Sequence, residues 1–172
     1  MSVLKIVRYP ESVLFTIGKP ILDFDAKLKT LVEDMFETMY AAKGVGLAAP
    51  QVAVSSRLFV MDCSGGEDEK QKIAAINPEI IMHEGEQIGD EGCLSFPSLY
   101  QQIQRNMRAI VRAQDVDGNW FELDGEELTA RCILHETDHC DGIIFLDRMT
   151  VLKREMAKRK IKKLQKTGEW SR

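Results

Sequence analysis

The pentapeptide His135-Glu136-Thr137-Asp138-His139 constrains this chain of 172 residues more than any other feature of it. It falls inside Glu126 to Cys140, a stretch that reads as helix and is stopped by Gly142. Residues four apart on a helix share a face, about 6 Å apart along the axis, so both imidazoles can converge on one ion. Glu136 projects roughly 100° round the same helix, where it can reach the ion's surroundings and handle protons. Two ligands do not complete a site. A fold that uses this helix must therefore bury it and bring a third donor to it from another segment.

Three donors compete for that place. Cys132 shares the helical face but lies seven residues from His139, about 10.5 Å along the axis, so a straight helix cannot aim all three side chains at one ion; it reads as core. A downstream ligand in the metzincin manner is excluded, because Gly142 takes that motif's glycine position but Phe145 stands where its third histidine belongs. Cys93, in Glu91-Gly92-Cys93-Leu94-Ser95, is a strong thiolate donor beside a glycine that permits close backbone approach. Taken alone, Cys93 fits a ligand and a buried small side chain equally well.

The rest of the chain reads as α+β. From Asp25 to Ala42, Leu28, Leu31, Val32, Met35, Phe36, Met39 and Tyr40 recur at helical spacing, with Gly44 as the stop. Strand-like runs follow at Leu58 to Met61, Ile73 to Ile76, Ile80 to Met82 and Ala109 to Ala113. Asp117-Gly118 is a hairpin turn returning through Trp120 to Leu123. Leu152 to Gln165 reads as a last, basic helix. The expected architecture is antiparallel strands packed around a central metal-binding HExxH helix, with a C-terminal basic helix. No linker divides residues 1 to 172, so a single catalytic domain is expected. No apolar run approaches the roughly 20 residues of a membrane span, and the opening MSVLKIVRYP has no signal-type apolar stretch. Four cysteines without an export signal read as reduced thiols, with a buried structural role as the default for Cys63.

Gly44-Val45-Gly46-Leu47-Ala48-Ala49-Pro50-Gln51 combines small residues with one amide. The Gly-Lys-Ser/Thr ending of a phosphate loop is missing, which excludes nucleotide binding of that type. Two readings stay open: a tight helix-to-strand turn, or a segment along which a substrate backbone lies while the Gln51 amide donates to a developing oxyanion.

Gly44 to Gln51, Glu91 to Ser95 and His135 to His139 together resemble, in order and spacing, the three defining motifs of the peptide deformylases. The Tyr9-Pro10 opening, the Asp117-Gly118 hairpin and the basic C-terminal helix extend the resemblance over essentially the whole chain. It implies a metallohydrolase that removes the formyl group from the N-terminal formyl-methionine of nascent polypeptides and releases formate. It places the metal ligands on Cys93, His135 and His139 and the general base and acid on Glu136. The oxyanion donors fall on the Gln51 side chain and the Leu94 backbone N–H, and the substrate-holding backbone on Gly46. Val45, Leu128 and Cys132 are walls for the methionine side chain. The resemblance favours Fe²⁺, with Zn²⁺, Ni²⁺ or Co²⁺ as substitutes the donor set also fits. It departs from the commonest pattern at Ser98, Leu134 and Cys140, none of them a ligand. A metallopeptidase that cuts internal peptide bonds, and a structural metal module closed by a fourth side chain, are the competing readings.

The net charge of −4 conceals a split. Residues 1–147 hold 13 basic and 25 acidic side chains, net −12, whereas residues 148–172 hold 10 basic and 2 acidic, net +8. The basic end reads either as a solvated amphipathic helix around Leu152, Met156, Ile161 and Leu164 or, as the deformylase resemblance implies, as a surface that contacts the ribosome. Cytoplasmic location, away from any membrane, is the matching expectation. His83 is expected at a strand end as an ordinary surface histidine, and Trp120 and Trp170 as packing residues.

Overall fold

A computed structural model describes residues 2–171; Met1 and Arg172, the ends of the charge count above, lie outside the described residues. The fold is α+β. Helix α1 spans Ala26–Ala41, α2 Leu128–Cys140 and α3 Val151–Thr167. Strands β1 Gly46–Ala48, β2 Leu58–Met61, β3 Ile73–Glu84, β6 Arg108–Gln114 and β7 Trp120–Glu126 form one five-stranded sheet in the order β1-β2-β3-β6-β7. Strands β4 Gln87–Cys93 and β5 Phe96–Arg105 form a separate two-stranded sheet, and every pairing between these strands is antiparallel.

Helix α1 starts where the Asp25 carboxylate accepts from the Leu28 N–H, and buries Leu28, Val32, Met35, Phe36 and Met39 against the start of the sheet. Its stop differs from the expected one. Lys43, not Gly44, takes the left-handed conformation (φ 56°), while Gly44 is needed because a Cβ there would sit 2.7 Å from Leu94 Cδ1. The two strand runs expected at Ile73 and Ile80 are one strand, β3, with register shifts around Pro78. Asn77 makes that bend: it has φ 53°, and its side-chain amide bonds the Ile21 N–H, the Ile21 carbonyl and Gln114.

Helix α2 touches strands of both sheets. It begins two residues later than expected, since Glu126 still belongs to β7, and Gly142 (φ 73°) follows its end. Phe145 packs in the core beside Phe96 and Leu14. Helix α3 is capped by Thr150, whose hydroxyl accepts from the Lys153 N–H, and by left-handed Gly168. Its packed face is Ala157, Ile161 and half-buried Leu164, whereas Leu152 and Met156 face outward, so the amphipathic stripe is narrower than the sequence suggests. Trp170 is buried and donates to the Tyr9 carbonyl at 2.8 Å. Trp120 is not a packing residue: it is half exposed under the Arg112 guanidinium, 3.9 Å from the ring centre. His83 is exposed near the end of β3.

Candidate metal centre

Strand alternation puts Glu91 and Cys93 on the same side of β4, and the pairing with β5 shifts register between Gly92 and Cys93. Gly92 between them lies under the Tyr100 ring, which a Cβ would meet at 2.6 Å and displace. From the other side, α2 presents His135 and His139 with ring centres 5.0 Å apart. One donor atom from each of Cys93, His135 and His139 lies within 4.8 Å of the others, the only such group of three metal-type donors among the described residues. Cys93 Sγ is 3.4 Å from His139 Nε2. The chemistry of the donors fits a divalent ion of intermediate softness: two imidazoles and one thiolate.

Behind the donors lies a buried ionic network. His135 Nδ1 is 2.7 Å from Glu91 Oε2, which leaves the His135 Nε2 lone pair facing the ligand group once Nδ1 carries the proton. The Glu91 carboxylate also accepts from Arg105 Nε (3.0 Å), Arg105 Nη2 (2.7 Å) and Arg131 Nη1 (3.0 Å). Burial by itself would push the Glu91 carboxyl up, but the bonds from His135 and Arg105 outweigh it and hold the group well below the usual carboxylate range. Arg105 Nη1 reaches Asp138 Oδ2 at 2.7 Å, and Arg148 closes the chain with two bonds to the Asp138 carboxylate. Three guanidiniums against two carboxylates leave the network at +1 beside the Cys93 sulfur. A chain charged in this way keeps charges buried at low cost because each one is paired and hydrogen-bonded.

Glu136 is buried beside these three donors, its Oε2 has no hydrogen-bond partner, and burial pushes its carboxyl up to about 7. It packs on Gly46, where a Cβ would come within 2.7 Å of Glu136 Oε1 and 2.8 Å of Cys132 Sγ. Gln51 is anchored by its Oε1, which accepts from the Ala48 N–H at 2.9 Å, so its Nε2 is aimed at Cys93 Sγ (3.5 Å) and Ser95 Oγ (3.2 Å). A cavity of about 430 Å³ opens over this group, and Val45, Gly46, Leu94, Leu128, Cys132 and Glu136 all line it. Val45 and Leu128 are exposed at its mouth, and Cys132 is buried in its wall.

All ten residues singled out from the sequence thus meet in one region. Sequence reasoning passed over Glu91, Arg105, Asp138 and Arg148 as supports. Glu91 carries a detectable signal, the strand period that pairs it with Cys93, and Asp138 stands one helical turn after His135. Arg105 and Arg148 carry none, since only the fold brings them near.

A family model described as Polypeptide deformylase matches residues 3–155. The peptide deformylase of Acidobacterium capsulatum is 50% identical over 170 residues, covering 99% of this chain and 100% of that protein. That of Chromobacterium violaceum is 48% identical over 166 residues, 96% of this chain and 98% of that protein. The crystal structure of a peptide deformylase from Legionella pneumophila superposes with a TM-score of 0.90 at 46% identity, covering 98% of each chain. An inhibitor complex of the Arabidopsis thaliana deformylase 1B gives 0.90 at 37% identity, over 96% of this chain and 92% of that one.

Proposed function

Because the chain belongs to the polypeptide deformylase family, we propose that Cys93, His135 and His139 hold the divalent ion of a deformylase centre and that Glu136 moves its protons. The substrate is the N-formyl-methionine end of a nascent polypeptide, and the products are formate and the free amine. One observation carries the assignment of roles: three converging metal-type donors and a buried, unpartnered carboxylate oxygen lie under one cavity. When bound, the ion polarises the formyl oxygen and lowers the pKa of water at the centre.

The chain's own groups do the remaining work. Glu136 accepts the proton of the attacking water and delivers it to the leaving amine, a role suited to a carboxyl kept from solvent beside the cavity. Gln51 Nε2, fixed by the Oε1 anchor, donates to the oxygen on which negative charge develops, and the Leu94 N–H in the β4–β5 turn is its partner. Gly46 lets the substrate backbone approach Glu136, since any side chain there would occupy the space of the carboxylate. The formyl carbon bears only hydrogen, so this crowding excludes larger acyl groups. Val45, Leu128 and Cys132 bound the methionine side chain. Glu91 holds the His135 ring in the orientation a ligand needs.

Fe²⁺ is the ion this reading favours. Anaerobic purification with metal analysis, followed by the formyl-Met peptide assay, tests it; full activity after aerobic, zinc-only reconstitution would refute iron dependence. Glu136→Ala is expected to retain metal and lose deformylation, and near-normal turnover in that variant sinks the role of Glu136. The whole chain is read as one catalytic domain acting in the cytoplasm, where nascent chains carry the formyl group. Among the described residues no helix is long and apolar enough to cross a membrane.

The basic face of α3 is read as a ribosome contact. Arg159, Lys160, Lys162, Lys163 and Lys166 are exposed, whereas Arg154 is tied to the Leu146 and Met149 carbonyls. Removing the whole tail is a poor test, because Ala157, Ile161 and Trp170 belong to the core. Charge reversal at Arg159, Lys160, Lys162 and Lys163 is expected to abolish co-sedimentation with ribosomes at low salt and to spare peptide deformylation. Unchanged co-sedimentation would remove the contact.

A further inference from the structure

The four thiols occupy three different environments. Cys93 belongs to the ligand group. Cys140 is buried between α2 and the sheet, and burial pushes its thiol up to about 12, which leaves it inert. Cys63 and Cys132, far apart in the chain, meet. Cys63 is the second residue after β2, Cys132 lies in the second turn of α2, and α2 packs across both β1 and β2. The two side chains share one apolar cluster, Cys132 buried in it and Cys63 packed against it.

The Val45 carbonyl ties the two segments to the substrate cavity. It accepts from the Asp62 N–H at 2.8 Å, next to Cys63, and lies 3.6 Å from the Cys132 sulfur. Cys132 Sγ also fills the space beside Gly46.

We propose that Cys63 and Cys132 are a redox pair, oxidised by a peroxide to a reversible disulfide that reshapes the cavity wall at Val45 and Gly46. Cys63 is half-buried, whereas Cys132 is buried, so Cys63 is the thiol a small oxidant reaches first. The hydrogen bonds from Cys132 and Thr129 outweigh partial burial and the nearby Asp62 charge and pull the Cys63 thiol down to about 7, which raises its thiolate fraction at neutral pH. The Cys63 thiolate attacks one peroxide oxygen and breaks the O–O bond. Sulfenic acid forms on Cys63, and the departing hydroxide takes up a proton as water. The Cys132 sulfur then displaces the sulfenic hydroxyl, its own proton leaving with that hydroxyl as a second water. Two thiols and one peroxide become one disulfide and two waters, the peroxide taking the two electrons. The new bond draws Cys132 Sγ from the Val45 carbonyl and from Gly46. The effect of the bond on turnover rests on the functional reading above; the bond itself does not.

The test is a limiting peroxide titration of the zinc-loaded full chain, with Cys93 protected as a ligand and iron chemistry absent. The expected product is about 2 Da lighter and yields tryptic peptides 58–70 and 132–148 joined, with fragmentation placing the bond at Cys132 and not Cys140. In the same samples kcat/KM for a formyl-Met peptide is expected to fall about 10- to 100-fold and to recover with dithiothreitol. Cys63→Ser is expected to start with unaltered activity and keep it through the same exposure. Absence of the joined peptides, a bond at Cys140 or Cys93, or sulfinic acid accumulating on Cys63 would overturn the pair. A joined peptide in a preparation that hydrolyses no formyl-Met peptide even after reduction and anaerobic reloading with Fe²⁺ supports the pair and refutes the functional reading.

Discussion

Glu91 is the residue on which the metal centre and the buried charge network depend together, and its substitution by glutamine separates the two. The carboxylate accepts four hydrogen bonds, two on each oxygen: Arg105 Nε and Arg131 Nη1 on Oε1, Arg105 Nη2 and His135 Nδ1 on Oε2. A carboxylate offers about four acceptor positions, so all are in use. In Glu91→Gln an NH₂ group must replace one oxygen, and either orientation sets donor against donor twice. The orientation that keeps the oxygen toward His135 puts the NH₂ against Arg105 Nε and Arg131 Nη1. Two charge-assisted bonds are lost, each worth about 1.5–3 kcal/mol, and the total agrees with the roughly 3–5 kcal/mol for breaking a buried ion pair. For a chain of this size about 2–4 °C of melting temperature follows each kcal/mol, so a fall of roughly 6–20 °C is expected. The His135 bond survives in that orientation, and metal affinity falls by about tenfold at most. Glu91→Ala removes the His135 bond as well and is expected to cost the roughly 10- to 100-fold in affinity seen when a ligand's supporting partner is lost. Calorimetry at saturating metal measures the first effect, and chelator competition at a temperature where all forms are folded measures the second. A Glu91→Gln protein that melts within about 2 °C of the parent would refute the four-bond argument. Unchanged metal affinity in a folded Glu91→Ala protein would refute the orienting role.

Gly46→Ala places a methyl 2.7 Å from Glu136 Oε1 and 2.8 Å from Cys132 Sγ; kcat for a formyl-Met peptide is expected to collapse with metal content intact, and normal kcat would show that Glu136 need not stay where it is. Gln51→Ala is expected to lower kcat about 100- to 1000-fold through the missing Nε2 donor, and stability by about 1–3 kcal/mol because the Ala48 N–H loses its buried acceptor. Steady-state kinetics beside urea unfolding reads both, and a variant that lost stability alone would leave Gln51 a purely structural residue. Asn77→Ala, at φ 53° and with three side-chain bonds removed, is expected to cost about 2–4 kcal/mol of stability and leave metal binding unchanged. Urea midpoints within error of the parent would show that the bend in β3 does not depend on that side chain.

The legible parts of this protein are those whose signal is local. Helix α1 is written in the spacing of Leu28, Val32, Met35 and Met39, and β2 in the unbroken run Leu58 to Met61, both found at the expected residues. Strands β4 and β5 escaped detection for a physical reason. Gln87–Cys93 contains two glycines and two acidic residues, and Phe96–Arg105 contains Pro97 and a bulge that shifts its buried positions off strict alternation. They bury one face, through Phe96, Leu99 and Ile103, in the core and leave Ile88 and Tyr100 exposed on the other, a pattern no window of ten residues reports. Trp120 shows the reverse error: aromatic character promised burial, but its strand position faces outward.

Taken by itself, the sequence determined the helix that carries the two histidines, the spacing of its two imidazoles, the carboxylate between them and the motif set that names the family. These depend on residues within a turn or two of each other, where covalent geometry leaves little choice. The third donor, the network through Glu91, Arg105, Asp138 and Arg148, and the meeting of Cys63 with Cys132 were decided by the tertiary structure. Each joins segments separated by whole strands, and their approach is set by sheet register and by how α2 lies across the strands. Buried charges can sit beside a metal centre only after that packing has excluded water and supplied every partner at once.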